Sequence, residues 1–426
     1  MAKPHINSLV INDLLQQKHV REEAQKKEKK MKDKKAFLCL MFGQAVANIG
    51  DTIYTVAIIS AVFSWTNSAF ASAVVPVVVT GAMMLASFLT PLFSMKISLD
   101  RMLKWSQIMK TIFLTVLAAY ISYLPKPINL GVIYFLIACI AFLDGCAEPV
   151  SMALIPRYIK KDQLIRANSL FSTMLQVVNI GSWAVGASLL IWFSVSELVW
   201  IDVGLFLVCS VLFLFLPRAV EKAAKHSKWQ KLKKGWQYVW REPLIRIVVI
   251  MDTIEGIANT AWASSIVLVF VSVVLEQPAN WWGYINTSYF IGALLGSLIV
   301  MKSPEFFDKS KGKAIVGGSF LGGVATLLVV LLPYASFVLL CTFMIGIFFQ
   351  IKNIPQATII QQKISEEKLL SVYAISGVIH MGTFSTAMLV MGKIADLFGV
   401  KLVYLCSGLL LILVALIGQY KKNLFA

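Results

Sequence analysis

Polar residues are sparse along this chain and fall in clusters, with long apolar stretches between them. Twelve stretches are long enough to be membrane spans, at 36–63, 68–97, 102–124, 129–153, 164–192, 197–216, 244–274, 280–302, 312–333, 335–353, 369–392 and 399–419. About 20 helical residues cross the roughly 30 Å hydrocarbon layer. All twelve are expected to be helices, because lipid offers no partner to an unpaired backbone amide.

Composition agrees with that pattern. Hydrophobic residues make up 58 % of 426 residues and charged residues 14 %, against about 25 % charged in soluble domains. Mean hydropathy is +0.76. Such a chain cannot cover itself with polar surface, which excludes a soluble enzyme, a nucleic-acid binder and a disordered scaffold. The expected fold is an all-α polytopic membrane protein.

The net charge of +17 changes the picture only through its distribution. The N-terminal tail holds Lys3, Lys18, Arg21, Lys26, Lys27, Lys29, Lys30, Lys32, Lys34 and Lys35. The loops after spans 2, 4 and 8 are also basic, whereas the opposite loops carry only Lys126, Lys393 and Lys401. Cations accumulate on cytoplasmic loops, so both termini are expected there. The tail has no apolar core of the kind a cleaved signal needs. All six cysteines fall in apolar spans without metal-ligand spacing to histidine, so neither a disulfide framework nor a metal is expected.

The chain divides at residues 217–243 into two groups of six spans, 36–216 and 244–419, flanked by tails 1–35 and 420–426. The divider is basic (Arg218, Lys222, Lys225, Lys228, Lys231, Lys233, Lys234, Arg241) and interleaved with Trp229, Trp236, Tyr238 and Trp240. That pattern predicts an amphipathic helix against anionic lipid. Spans 4 and 10 each end on a proline, Pro149 and Pro355, followed by an amphipathic stretch and a charged turn. A six-plus-six parallel repeat places a substrate near mid-bilayer, between the halves.

Several segments carry a family likeness: Gly43 to Asp51 in span 1, Leu154-Ile155-Pro156-Arg157-Tyr158 running to Ala167-Asn168-Ser169-Leu170, Gly292 to Gly296 in span 8, and Pro355-Gln356 in span 10. On these the chain resembles the major facilitator superfamily, and within it the macrolide-efflux-like and siderophore-exporter-like branch. The resemblance implies two six-helix bundles, alternating access, a proton gradient as energy source and a monomer. The loop after span 2 keeps only Asp100, Arg101 and Lys104 of the family's pattern. Span 5 keeps Gly181 and Gly186 without the proline of antiporters.

Ionisable groups at membrane depth cost a few kcal/mol and mark function by default. Asp51 lies about 22 Å into span 1, and Asp252 and Glu255 about 12 and 17 Å into span 7. Three residues apart, the last two share a helix face, and crowded carboxylates in low dielectric favour holding a proton. His380, at mid-depth in span 11, is the other proton-coupling candidate. Against these readings stands a polar clamp on an unwound turn, for which Gly50 and Gly256 supply the freedom. Gln44, Asn48, Tyr54, Gln176, Asn179, Trp262 and Tyr289 are candidates to line a substrate cavity. Asp144 and Glu148, within reach of Arg101 and Arg157, are expected to form a cytoplasmic gate with Asp100 and Lys352, as breakable or static ion pairs. Gly292-x-x-x-Gly296 and Gly318-x-x-x-Gly322 allow close helix approach.

No phosphate-binding loop or nucleophile with a base is present, so neither an ATPase nor another enzyme is expected. The expected function is a proton-coupled exporter of amphiphilic small molecules, with lipid and protons as partners and no nucleic acid. The alternatives are an exporter of an endogenous metabolite such as a siderophore, a lipid flippase, and a non-transporting immunity or sensor protein.

Overall fold

A computed structural model describes residues 8–66, 69–94, 96–123, 129–217, 228–278 and 281–425. In chain order the helices are α1 (Ser8–Thr66), α2 (Ala69–Phe93), α3 (Leu99–Tyr123), α4 (Leu130–Tyr158), α5 (Leu164–Trp192), α6 (Val195–Leu214), α7 (Lys228–Arg241), α8 (Pro243–Asn259), α9 (Ser264–Val269), α10 (Trp281–Lys302), α11 (Pro304–Lys309), α12 (Lys311–Leu331), α13 (Ala335–Lys363), α14 (Glu366–Phe398) and α15 (Val400–Tyr420). The fold is all-helical, with no strand among the described residues.

Nine described helices are long and apolar enough to cross a membrane, and a tenth span is the broken pair in α8–α9. Helices α3 and α5 have spanning length and complete the expected set. Their composition is more polar because they carry Lys110 and Gln107, and Asn168, which they bury against protein. Exposed apolar side chains such as Val116, Phe135, Leu207, Leu389 and Leu416 supply the outer surface that lipid requires.

Local signals end these helices where the chain must turn. Asn129 accepts a bond from Gly131 N ahead of α4. Ser194 and Glu197 form a capping box at α6, satisfying two otherwise orphaned amides. Gly399, at φ 86°, turns the chain between α14 and α15, a conformation only glycine adopts without strain.

Span 7 departs from expectation. Instead of one helix over 244–274, α8 stops at Asn259, a 3₁₀ turn covers Thr260–Trp262, and the axis bends by 45° before α9 and a π-helical turn. Thr260 Oγ1 donates to the Ile257 carbonyl at 2.6 Å, and Ala263 is extended at ψ 142°. The unwinding expected beside Gly50 and Gly256 does not occur, since both lie inside continuous helix.

Helices α1–α6 form one bundle and α8–α15 the other; α5 packs on α10 and α13, and α14 on α2 and α4, to join them. Glycines set the closest approaches within each half. A Cβ on Gly292 would collide with the Phe343 carbonyl and one on Gly346 with the Tyr289 carbonyl, so α10 and α13 meet backbone to backbone. Gly296 and Gly318 also lie against α13, whereas Gly322 meets nothing within 4 Å. Only three of the four small-residue positions therefore serve the close packing expected of them.

The linker helix α7 docks on protein. Val239 is buried, Gly235 lies against Ile375, and Lys368 Nζ stands 3.9 Å over the Tyr238 ring. Its inner aromatic face is thus spent on α14, and Trp240 remains exposed. Lys3, Lys126, Arg218, Lys222 and Lys225, and the side chains of Lys18 to Lys32, Gly186, Lys228, Trp229, Lys231, Lys233 and Lys234, lie outside the described residues.

Candidate functional site

Each half holds one lysine gripping two carboxylates. In the first, Lys110 on α3 donates to Asp51 Oδ1 on α1 at 2.5 Å and to Asp144 Oδ1 on α4. The lysine is 1 % exposed, and its two acids are 30 % and 20 % exposed. The cation therefore sits inside the bundle and the acids at its edge. Its ammonium also lies 4.2 Å from the ring centre of Phe206 on α6, a cation–π contact.

The second half repeats the plan with different elements. Lys352 on α13 donates to Glu255 Oε2 and, at 3.4 Å, to Asp252 Oδ1, both on α8. Gln356, one turn further along α13, adds a 2.7 Å bond to Asp252. Glu255 and Lys352 are buried, and Asp252 is 31 % exposed. The carboxylates expected to share a site do share one, through a common lysine. Behind it lies a small cavity lined by Glu255, Asn259, Trp262, Ser319, Phe349 and Lys352.

Each cluster has two acids on one base, so with all groups charged each carries one negative charge in excess. Isolated ions in low dielectric cost several kcal/mol, and a good pair recovers that only with its remaining lone pairs satisfied. The excess on each side can be met by a proton or by a cationic group arriving from the space between the halves.

Of the residues expected at a gate, Asp144 pairs with Lys110 and Lys352 joins Glu255 and Asp252 in the second cluster. Asp100 is buried at the start of α3 and Arg101 is exposed. Glu148 is exposed on α4, within electrostatic reach of His380 on α14. His380 also faces Gly256, at 4.0 Å from where its Cβ would stand, and tilts on Phe384.

At one end the halves are joined by hydrogen bonds made mostly by neutral groups. Asn168 Nδ2 donates to Thr358 Oγ1 at 2.9 Å and to Gln361 Oε1 at 2.7 Å. Ser172 bonds Gln350, and Thr173 bonds Ser297, each at 2.7 Å. Lys161 and Gln362 exchange side chain-to-backbone bonds of 2.8 and 2.9 Å. The helix-end arginines are long and basic, but the small polar side chains face each other across the seam.

Other expected lining residues divide. Gln44, Asn48, Gln176, Asn179 and Tyr289 are half-buried, and Tyr289 stacks edge-on with Phe349. Tyr54 is 2 % exposed and packs in the main core, so it lines no cavity; it lies three residues after Asp51, on the inward side of α1. Trp262 does border the small cavity, edge-on to Tyr404 at 5.1 Å.

Two residues were absent from the set expected from sequence: Lys110 and Asp202. Both are charged residues well inside apolar spans, so the rule that singles out Asp51 applies to them equally. Asp202 on α6 is fully buried, and among the described residues neither carboxyl oxygen has a hydrogen-bond partner.

Known proteins locate this architecture. The chain is 27 % identical to the uncharacterized MFS-type transporter YfmI of Bacillus subtilis (strain 168) over 397 residues, covering 91 % of this chain and 98 % of that one. It is 25 % identical to YjbB of the same organism, also an uncharacterized MFS-type transporter, over 92 % and 96 % of the two chains. Among solved structures, the E. coli fucose:proton symporter FucP superposes with TM-score 0.72 at 14 % identity, covering 91 % of this chain and 98 % of that one. A bacterial homologue of the iron transporter ferroportin, in an outward-facing state, gives 0.74 at 11 %, with 91 % and 99 % covered. At such identities the structural likeness speaks for the fold alone. The Major Facilitator Superfamily pattern matches residues 40–385, and with full-length relatives of the same type the chain belongs to that superfamily, a multi-pass membrane transporter and not an enzyme.

Proposed function

We propose that this transporter exports amphiphilic small molecules of drug or macrolide type by proton antiport and alternating access. The observation that carries the reading is the pair of lysine-centred clusters. Each has one acid about a third exposed, Asp51 in one half and Asp252 in the other, and each has one acid more than its base can neutralise. Protons and a lipophilic cation compete for such acids, which is the exchange an antiporter needs. The loop charges support a cytoplasmic placement of both termini and of the joined end, and with it an outward-facing reading of this conformation. Asp51, Asp252, Glu255 and His380 then serve proton coupling, and Gln44, Asn48, Gln176, Asn179 and Tyr289 line the path as a monomer works in a bacterial plasma membrane.

An anionic cargo such as a siderophore is less well matched. Lys352, the cation that would receive it, is already held by two carboxylates.

Efflux of fluorescent lipophilic dyes and macrolides from expressing cells tests the reading, with and without a protonophore. The expected result is protonophore-sensitive efflux that Asp51→Asn abolishes. Efflux of no panel member would overturn the drug-type reading and turn attention to siderophores and lysolipids; efflux indifferent to protonophore would overturn antiport.

A further inference from the structure

We propose that Asp202 is the proton-carrying carboxyl of the N-terminal half, and that Lys110 trades Asp51 for Asp202 when that proton leaves. The transport role rests on the antiport reading above; the presence of the proton does not.

The placement of Asp202 carries the argument. It is fully buried on α6, and both carboxyl oxygens lack a partner among the described residues. Its Oδ1 rests on Gly50, where any Cβ would collide with it, and Asp51 is the next residue. Phe206, one turn on along α6 and hence on the same face, is 3.1 Å from that same Cβ position. The Lys110 ammonium lies 4.2 Å from the Phe206 ring centre. The carboxyl, the ring, the ammonium and the Gly50 backbone therefore converge on one point. Beside it, Thr111 Oγ1 bonds the Phe206 carbonyl at 3.3 Å and Ser210 Oγ at 3.0 Å, which pins α3 to α6.

The titratable groups around Asp202 give it no counter-charge of its own. They are Asp51 and Tyr54 on α1, Lys110 on α3, Asp144 on α4 and Cys209 on α6. The Cys209 thiol donates to the Gly43 carbonyl, and Lys110 is committed to Asp51 and Asp144. Helix α5 brings only Arg166, at its far end. An unpartnered acid at this depth holds its proton. In the other half both acids of the cluster have a donor, because Gln356 and Lys352 serve Asp252 and Lys352 serves Glu255. No such donor reaches Asp202 among the described residues.

The step balances without any co-reactant. The O–H bond of Asp202 breaks and an O–H bond forms on the Asp51 carboxylate. Lys110 keeps its own protons throughout. While Asp51 holds the proton it is neutral and its hold on Lys110 lapses, and the newly charged Asp202, beside the ring already under the ammonium, replaces it. When Asp51 then gives the proton to a water in the space between the halves, its charge returns with the ammonium shared by Asp202 and Asp144. Asp144 stays bonded in both states.

Infrared spectroscopy of the purified protein at neutral pH reads the proton directly, through the C=O stretch of a protonated carboxyl. The difference spectrum of wild type minus Asp202→Asn should contain this band, as should that of Asp51→Asn minus the double variant; a difference spectrum without it overturns the assignment. Asparagine mimics the neutral acid, so Asp202→Asn should fold as wild type does, and Asp202→Ser stands in should it not. In proteoliposomes with ethidium as probe, Asp202→Asn should keep dye exchange at equal pH and lose accumulation driven by a pH gradient. Retained accumulation overturns the proton-carrying role. A wild type that moves no ethidium against the gradient overturns antiport of this probe and with it the transport role, while the infrared band still decides where the proton sits.

Discussion

Asn168 on α5 and Gln361 on α13 are joined by a 2.7 Å side-chain hydrogen bond that links the two halves of the molecule. The same amide also reaches Thr358, so one residue contributes two bonds to the seam. Asn168→Ala should shift the population toward the state open at that end. Two lost bonds and the polar groups left unpaired are worth about 1–3 kcal/mol, about 5–150-fold in the equilibrium. Spin labels at the exposed Arg166 and Glu367, in a background lacking the six cysteines, should report a longer distance in the variant. An unchanged distance distribution would mean that the seam is held elsewhere.

Lys110→Met removes the base and leaves Asp51 and Asp144 crowded without a partner. Breaking a buried pair in this way costs about 3–5 kcal/mol. The single variant should lose both thermal stability in detergent and transport. Adding Asp51→Asn should restore much of the stability and none of the transport. Should Lys110→Met melt like wild type, the lysine would not be bearing this load.

The backbone contact between α10 and α13 predicts a sharp contrast between glycines. Gly292→Ala drives a methyl into the Phe343 carbonyl, and overpacking of this kind costs about 1–3 kcal/mol. Gly322→Ala and Gly81→Ala point into open space and should melt as wild type does. Equal melting of all three would contradict the close approach.

At the helix-end loop outside the spans, burial works to raise the Asp308 carboxyl, but bonds from Lys311 and Gln362 outweigh it and hold it below the usual carboxylate range. A group lowered on folding contributes stability above its unfolded value and loses it as pH falls through the folded one. The contribution should therefore persist at neutral pH and vanish only below about pH 4. Because Asp308 is partly exposed, the effect is small. Melting curves of wild type and Asp308→Asn should converge in strong acid and separate slightly above it; parallel curves throughout would remove the bond from the account.

The spans were legible because twenty apolar residues have few other fates, and the pairing of Asp252 with Glu255 because helix periodicity fixes it. The partners of those acids were not legible. Whether Lys110 faces Asp51 depends on how far α3 slides and rotates against α1, and no residue spacing within one helix encodes that. Asp202 carried the same depth signal as Asp51, yet its role comes from what surrounds it on α1 and α3. The break in span 7 was hidden because it lies at Thr260–Ala263, without proline or glycine, while the glycines that drew attention sit in unbroken helix. Arginines near the helix ends pointed toward an ionic gate, whereas the amides and hydroxyls that meet across the seam, such as Asn168 and Gln361, have partners 193 residues away and carry no signal in either helix alone.

That choice of groups has a consequence for the medium in which the protein works. Ion pairs weaken as dissolved salt screens them, whereas the amide and hydroxyl bonds across the Asn168 seam have almost no net charge to screen. The bonds that Asn168 makes across the seam should therefore hold nearly as well in a salty medium as in a dilute one.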